Sequence, residues 1–305
     1  MPVLSCAMKA FTFKKIDAFA TEHSSGNPAG VVYLQKEDEI TEDEMQRIAR
    51  ELKGFVSEVG YAWQIAPDTF DLRYYSSERE VEFCGHATIA MMYDLIQQHA
   101  DLLQRPFVNI NTAHARLLVE NRIPQENAVF ISAPKPTFFR CSIEKSELAA
   151  ALRVSPDGLN DDLPLANIHA GLKTLIVPVN NLQMALAIHP DLEELKQFCL
   201  NHALDILTVF TDNTVNSGNA YRTRVFAPTF GYLEDPATGS GNSAFGYYLL
   251  EQRQWDGRLI SLEQNGLHDQ PNIVKLLAKP DEDHVQRVWF GGSAIVRIQG
   301  EYLTI

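Results

Sequence analysis

Two short stretches hold the residue types that could move a proton. In Glu82-Phe83-Cys84-Gly85-His86-Ala87-Thr88 a strand-like alternation stops at a glycine and an apolar, helix-like run begins. Glu234-Asp235-Pro236-Ala237-Thr238-Gly239-Ser240-Gly241 repeats the plan, with Thr238 where the first stretch has Cys84. A strand, a glycine turn and a helix N-terminus together favour an anion. The first helical N–H groups lack backbone partners, and the helix dipole is positive there. Gly85 and Gly239 let the backbone come close to a ligand. With His86, Asp235, Ser240 and Cys84 around them, the chemistry on offer is proton transfer on a small carboxylate-bearing molecule. Two such turns predict a cleft between two halves, each giving one helix N-terminus.

Each of these residues also has an ordinary use. His86 could bond a neighbouring carbonyl, Asp235 could start a turn before Pro236, and Ser240 could cap a helix. Cys84 could be a small buried apolar group. The second turn tips the balance toward a site. A metal centre is not expected: Cys84 and His86 stand two apart with no further ligand at recognisable spacing. No cofactor is expected either.

The elements that must position these turns can be read from pattern. Strands are expected from Lys9 to Phe19 and Ala29 to Leu34, then a helix capped at Thr41 with Glu44 closing a capping box and Met45, Ile48, Ala49 and Leu52 on one face. Strands from about Glu58 and across Thr69 to Tyr75 lead into the first turn. The helix after it, from His86 to about His99, is apolar nearly all round, so it must be buried on every side, most simply by a sheet wrapped around it. The order then recurs. A helix is expected over 142–152, strands over 168–179 and 182–187, a helix from Asp191, strands over 205–210 and 221–226, and then the second turn. This reads as an internal duplication. The expected halves are 1–132, completed by the C-terminal strand 294–305, and 133–293. Met1 to Ala7 reads as a frayed extension.

Composition narrows the partners. A net charge of −13 with no basic cluster argues against nucleic acid and against an anionic membrane surface. Neither a signal peptide nor a membrane-length apolar run is evident, so a cytoplasmic protein is expected. The four cysteines (Cys6, Cys84, Cys141, Cys199) are scattered without CxxC spacing, which suits a reducing compartment. His114, His169, His189 and His202 show no ligand spacing.

Gly26-Asn27-Pro28-Ala29, Ser57-Glu58, the two turns and Gly291-Gly292-Ser293-Ala294, taken together, resemble the PhzF family of phenazine-biosynthesis-like isomerases, and more distantly diaminopimelate epimerase and proline racemase. The resemblance runs over essentially the whole chain. It implies an α+β fold of two pseudo-symmetric halves, each a curled, mainly antiparallel sheet around a central helix. It also implies a cofactor-independent isomerase, a homodimer, acting on an amino-acid-like or cyclic carboxylate. In it Glu58 is the acid/base, His86, Asp235 and Ser240 are the other catalytic groups, and Asn27, Cys84, Gly85 and Gly239 contact the substrate. The related epimerases use one cysteine in each turn. Cys84 matches the first, but Thr238 is no proton acceptor at neutral pH, so a two-thiol racemase is not expected. An epimerase pairing Cys84 with Glu58, and a binding protein that has lost turnover, are the alternatives.

Overall fold

The computed structural model describes residues 8–36 and 39–304; the expected extension before Met8, with Cys6, lies outside them. The chain divides into two compact units. The first holds the described residues up to Ala18, Pro28–Val129 and 293–304; the second holds Phe19–Asn27 and Phe130–Gly292. The segment 19–27, expected with the first half, goes with the second. Ile273 N–H donates to the Phe19 carbonyl at 3.0 Å, and Gly26 N–H to Asn272 Oδ1 at 2.8 Å.

The first unit contains β1 (Lys9–Ala18), β2 (Asn27–Leu34), α1 (Glu42–Glu51), β3 (Glu58–Ala66), β4 (Thr69–Ser76), β5 (Glu80–Val81), α2 (Gly85–Gln98), α3 (Ala100–Leu103), β6 (Phe107–Asn111), β7 (Arg116–Asn121) and α4 (Ile123–Glu126). Thr41 caps α1 in a complete capping box with Glu44, and Met45, Ile48 and Ala49 are buried, as the pattern predicts. β2 and β3 run parallel, with α1 as the crossover; β4 pairs antiparallel with β3 and β5 and parallel with β6, and β6–β7 is a hairpin.

The second unit contains β8 (Val129–Ser132), β9 (Thr137–Phe139), α5 (Lys145–Leu152), β10 (Ala166–His169), β11 (Lys173–Pro178), α6 (Leu182–Ala187), α7 (Leu192–Asn201), β12 (Ile206–Thr211), β13 (Tyr221–Phe226), β14 (Glu234–Asp235), α8 (Gly239–Glu251), β15 (Ile260–Gln264), β16 (Asn272–Pro280) and β17 (Gln286–Gly292). Its ladder repeats the first. β11–β12 is parallel, β12–β13 and β13–β14 are antiparallel, β13–β15 is parallel and β15–β16 antiparallel. The run β2 to β7 therefore matches β11 to β16, with α2 matching α8. Two expectations fail: 168–179 is not one strand but the antiparallel pair β10–β11, which turns back over 170–172, and 182–187 is the helix α6, not a strand. The Asn181 side chain accepts from Met184 N–H and starts a helix where apolar content alone suggested a strand. The last strand, β18 (Ala294–Thr304), pairs antiparallel with β1 in the first unit.

Each unit has a central helix. α2 packs on β1, β3 and β18, and α8 on β10, β11, β12, β16 and β17. The approach is close: a Cβ on Gly60 would lie 2.7 Å from Met91 Sδ, and one on Gly241 would lie 3.1 Å from Val225 Cγ2. Buried α2 is not wholly apolar. Asp94 carries a buried ion pair to Lys14 Nζ at 2.7 Å and accepts from the Tyr33 hydroxyl and the Gln98 amide. Three donors on one carboxylate make that charge tolerable inside the unit. Among the described residues no helix is long and apolar enough to cross a membrane.

Candidate active site

β3 delivers the acid. Glu58 is its first residue, paired with Ala29 of β2 and Ser76 of β4, so the backbone beneath its carboxylate is held on both sides. The β5–α2 junction delivers the rest: Cys84 is the N-cap of α2, and Gly85 and His86 open its first turn. The Cys84 side chain makes no cap bond, so the first N–H groups of α2 are not satisfied by their own cap. The turn is fixed from behind. Thr88 donates to the Cys84 carbonyl through its backbone at 3.0 Å and its hydroxyl at 2.7 Å, and Tyr74 OH lies 2.6 Å from Thr88 Oγ1.

This construction brings Glu58, Cys84 and His86 together. Glu58 Oε2 is 3.4 Å from His86 Nε2, and Cys84 Sγ is 3.5 Å from His86 Nδ1. Spacing alone gave Cys84 and His86 no third partner; the fold brings Glu58, singled out only by the resemblance, from a neighbouring strand. The first pair has the spacing of an ion pair, but burial pulls the His86 pKa down to about 4, only partly offset by its bond to the Pro28 carbonyl. At neutral pH the imidazole is therefore uncharged, and the contact with Glu58 is not an ion pair.

The second turn is organised separately, within the second unit. Asp235 ends β14, Thr238 is the N-cap of α8 without a side-chain cap bond, and Gly239 and Ser240 open the helix. Asn27 Nδ2 donates to Asp235 Oδ1 at 2.7 Å and to the Ala237 carbonyl at 2.8 Å. Burial raises the Asp235 pKa to about 7, against the opposing bonds from Thr238 and the Ala237 N–H. Gly239 is required by space, since an added Cβ would lie 2.3 Å from Phe290 Cε2.

Three features of this turn escaped the sequence. Gln264, fully buried, uses its whole amide on the turn. Its Oε1 accepts from Thr238 N–H at 2.9 Å and Asn242 Nδ2 at 2.6 Å; its Nε2 donates to the Asp235 carbonyl at 2.9 Å and Thr238 Oγ1 at 3.1 Å. Asn272 Nδ2 holds the Pro236 carbonyl at 2.7 Å. An Arg–Glu clamp recurs in both units at matching strand positions. Arg73 grips Glu80 at 2.6 and 2.9 Å, and Arg224 grips Glu234 at 3.0 and 2.7 Å. The signal was present as Arg-x-Tyr/Phe one ladder step before each turn, visible only once the register is known.

The matched registers also show what the second unit lacks. Val59 pairs with Tyr75 and Leu207 with Phe226, so the counterpart of Glu58 is Ile206, a buried apolar residue. Thr238 is the counterpart of Cys84. A groove of about 620 Å³ in the first unit, lined by Trp63, Asp71, Arg73, Asn111, His114 and Arg116, includes none of the expected site residues. A large open groove without converging acid–base groups carries less weight than the compact Glu58–Cys84–His86 cluster.

Comparison with known proteins bears on the family and the fold. Residues 16–300 match the PhzC-PhzF family, described as phenazine biosynthesis-like protein. The chain is 30% identical over 260 residues to the uncharacterized isomerase YfhB of Bacillus subtilis strain 168, covering 84% of this chain and 87% of that one. It is 26% identical to the trans-2,3-dihydro-3-hydroxyanthranilate isomerase of Pseudomonas chlororaphis, covering 92% of this chain and 95% of that one. A crystal structure of the Bacillus anthracis phenazine biosynthesis protein of the PhzF family superposes with a TM-score of 0.85 at 25% identity, covering 97% and 100% of the two chains.

Proposed function

The chain belongs to the PhzC-PhzF family and is an isomerase, and from that premise we propose that it moves a proton between carbons of a small carboxylate-bearing substrate, with Glu58 as acid and base. The observation that supports this most is the Glu58–Cys84–His86 cluster at the N-terminus of α2, whose duplicated positions hold Ile206 and Thr238. At these matched positions one half of the duplication carries acid–base side chains and the other does not. A single base that lifts a proton and returns it to another carbon on the same face suits an isomerase. A two-base racemase needs a matched acid on the opposite face.

The roles follow from the chemistry of each group. Glu58 takes the proton. Neutral His86 can hydrogen-bond a substrate heteroatom without adding a charge beside the carboxylate. The uncapped first-turn N–H groups of α2 and α8 suit the substrate carboxylate and the charge that develops as the proton leaves. Asp235, with a pKa near neutrality, can offer a proton to a substrate oxygen or nitrogen, and Ser240 and Asn27 can orient it. The substrate we infer is amino-acid-like or cyclic, the class to which the substrate named for the Pseudomonas relative belongs.

A second reading has one observation in its favour: the Cys84 thiol lies 3.5 Å from His86 Nδ1, which would allow an epimerase pairing Cys84 with Glu58. One experiment separates these readings from a binder without turnover. Carboxylate metabolites are screened by thermal shift, and each hit is incubated with the protein in deuterated water. Deuterium at a carbon with a shifted double bond supports the isomerase, deuterium with inversion at one carbon supports the epimerase, and binding without exchange would refute both.

A further inference from the structure

The same three residues that make a proton-transfer cluster also make a ligand set. Carboxylate oxygen, imidazole nitrogen and thiol sulfur of Glu58, His86 and Cys84 all lie within 4.8 Å of one another. Glu58 Oε2 is 3.4 Å and Cys84 Sγ 4.0 Å from the same atom, His86 Nε2. A tetrahedral ion with bonds of about 2.0–2.3 Å holds N and O ligands roughly 3.3 Å apart and N and S ligands roughly 3.6 Å apart. The first spacing is met, and the second needs a few tenths of an ångström.

We propose that the Glu58–Cys84–His86 cluster binds a thiophilic divalent cation such as Zn²⁺, and that the bound ion inhibits the enzyme by occupying its base. This rests on the reading of Glu58 as the acid/base. The donors are mixed soft and hard, which suits Zn²⁺ or Co²⁺ and not Mg²⁺ or Ca²⁺, whose preferred ligands are all oxygen. Carboxylate and thiolate together balance a +2 charge. His86 is already oriented by its bond to the Pro28 carbonyl, the kind of outer contact that metal-ligating histidines commonly make.

The scaffold beneath the cluster does not need to rearrange. Cys84 and His86 share one helical turn braced by Thr88 and Tyr74, and Glu58 starts a strand paired on both edges. The positive end of α2 opposes a cation, a term weaker than three direct ligand bonds that include two anions. With three protein ligands the fourth position stays open, and a substrate carboxylate could fill it. The proposal requires no redox step. The thiol loses a proton to solvent as the Zn–S bond forms, and a chelator reverses both changes.

Co²⁺ is the direct probe, because a cobalt–thiolate bond gives a near-ultraviolet charge-transfer band that needs no turnover. The protein is titrated with Co²⁺, and the band should saturate at one ion per chain. It should vanish in Cys84→Ser, with the other three cysteines unchanged, and persist in Cys141→Ser. Glu58→Gln and His86→Gln should each weaken binding at least tenfold. In parallel, Zn²⁺ should abolish solvent-deuterium exchange into a substrate, and EDTA should restore it. Absence of the band, or its survival in Cys84→Ser, would overturn the site. A band without inhibition would overturn the regulatory part. If no substrate exchanges, the catalytic reading fails while the cobalt result still decides the site.

Discussion

Glu58, His86 and Asp235 illustrate how a residue's surroundings decide its role. Glu58 beside Ser57 at a strand entrance looks like a surface acid, and only the resemblance singled it out; the fold then places His86 3.4 Å away. His86 and Asp235 are both pushed toward their neutral forms, against the usual effect of a salt-bridge partner. For His86 the native pKa of about 4 lies below the ordinary 6.5, so between these values the unfolded chain binds more protons and stability rises with pH. For Asp235 the native value of about 7 lies above the ordinary 3.8, so the native state binds more protons and stability falls as pH rises from about 4 to about 7. The two slopes oppose each other over most of that range. Urea midpoints measured from pH 4 to 7.5 should therefore show, relative to the parent, a more falling profile for His86→Gln and a more rising one for Asp235→Asn. Parallel profiles would mean that neither group is perturbed.

At the scale of elements, periodicity and capping revealed the longer helices and many of the strands, because Thr41 with Glu44, Asp191, and the apolar α2 and α8 are local signals; α3, α4, β9, β15 and β16 were not expected. The amides that hold the second turn were not legible. Asn27, Gln264 and Asn272 are distant in sequence from Asp235 to Thr238, and nothing local marks a buried Gln at the end of β15 as their partner. Gln264→Leu should leave the Thr238 N–H without its acceptor, costing about 1–3 kcal/mol in urea unfolding and lowering activity. The paired Arg–Glu clamps allow a comparison within one molecule. Arg224 is almost fully buried and also donates to the Ala185 and Ile188 carbonyls at 2.8 and 2.7 Å. Arg73 is more open, at 18% side-chain exposure. Arg224→Met should cost about 3–5 kcal/mol by leaving the buried Ala185 and Ile188 carbonyls and half-buried Glu234 without their donor, and Arg73→Met about 1 kcal/mol or less because solvent screens its partner. Equal losses in urea unfolding would contradict that ranking.

At the scale of the whole molecule, duplication was readable from the recurrence of turns, but its asymmetry was not. Knowing that Ile206 is the counterpart of Glu58 requires the strand registers, which no single-residue pattern supplies. The exchange of 19–27 and of β18 between the units was only partly legible, because pairing partners so far apart in the chain leave no local trace. β18 covers β1 along its full length, from Lys9–Thr304 to Ala18–Ala294. Removing residues 294–304 should therefore expose the β1 edge and part of α2, and give an aggregation-prone first unit on size-exclusion chromatography. The asymmetry gives the sharpest consequence. With Ile206 and Thr238 at the duplicated positions, the second unit offers no carboxylate or thiol that corresponds to Glu58 or Cys84. The decisive measurement is solvent-deuterium exchange into a bound substrate by Glu58→Gln. Exchange should fall by about 10²–10⁴-fold while substrate affinity changes by less than about tenfold, a difference of about 1.4 kcal/mol. Exchange at the parent rate would show that Glu58 is not the base.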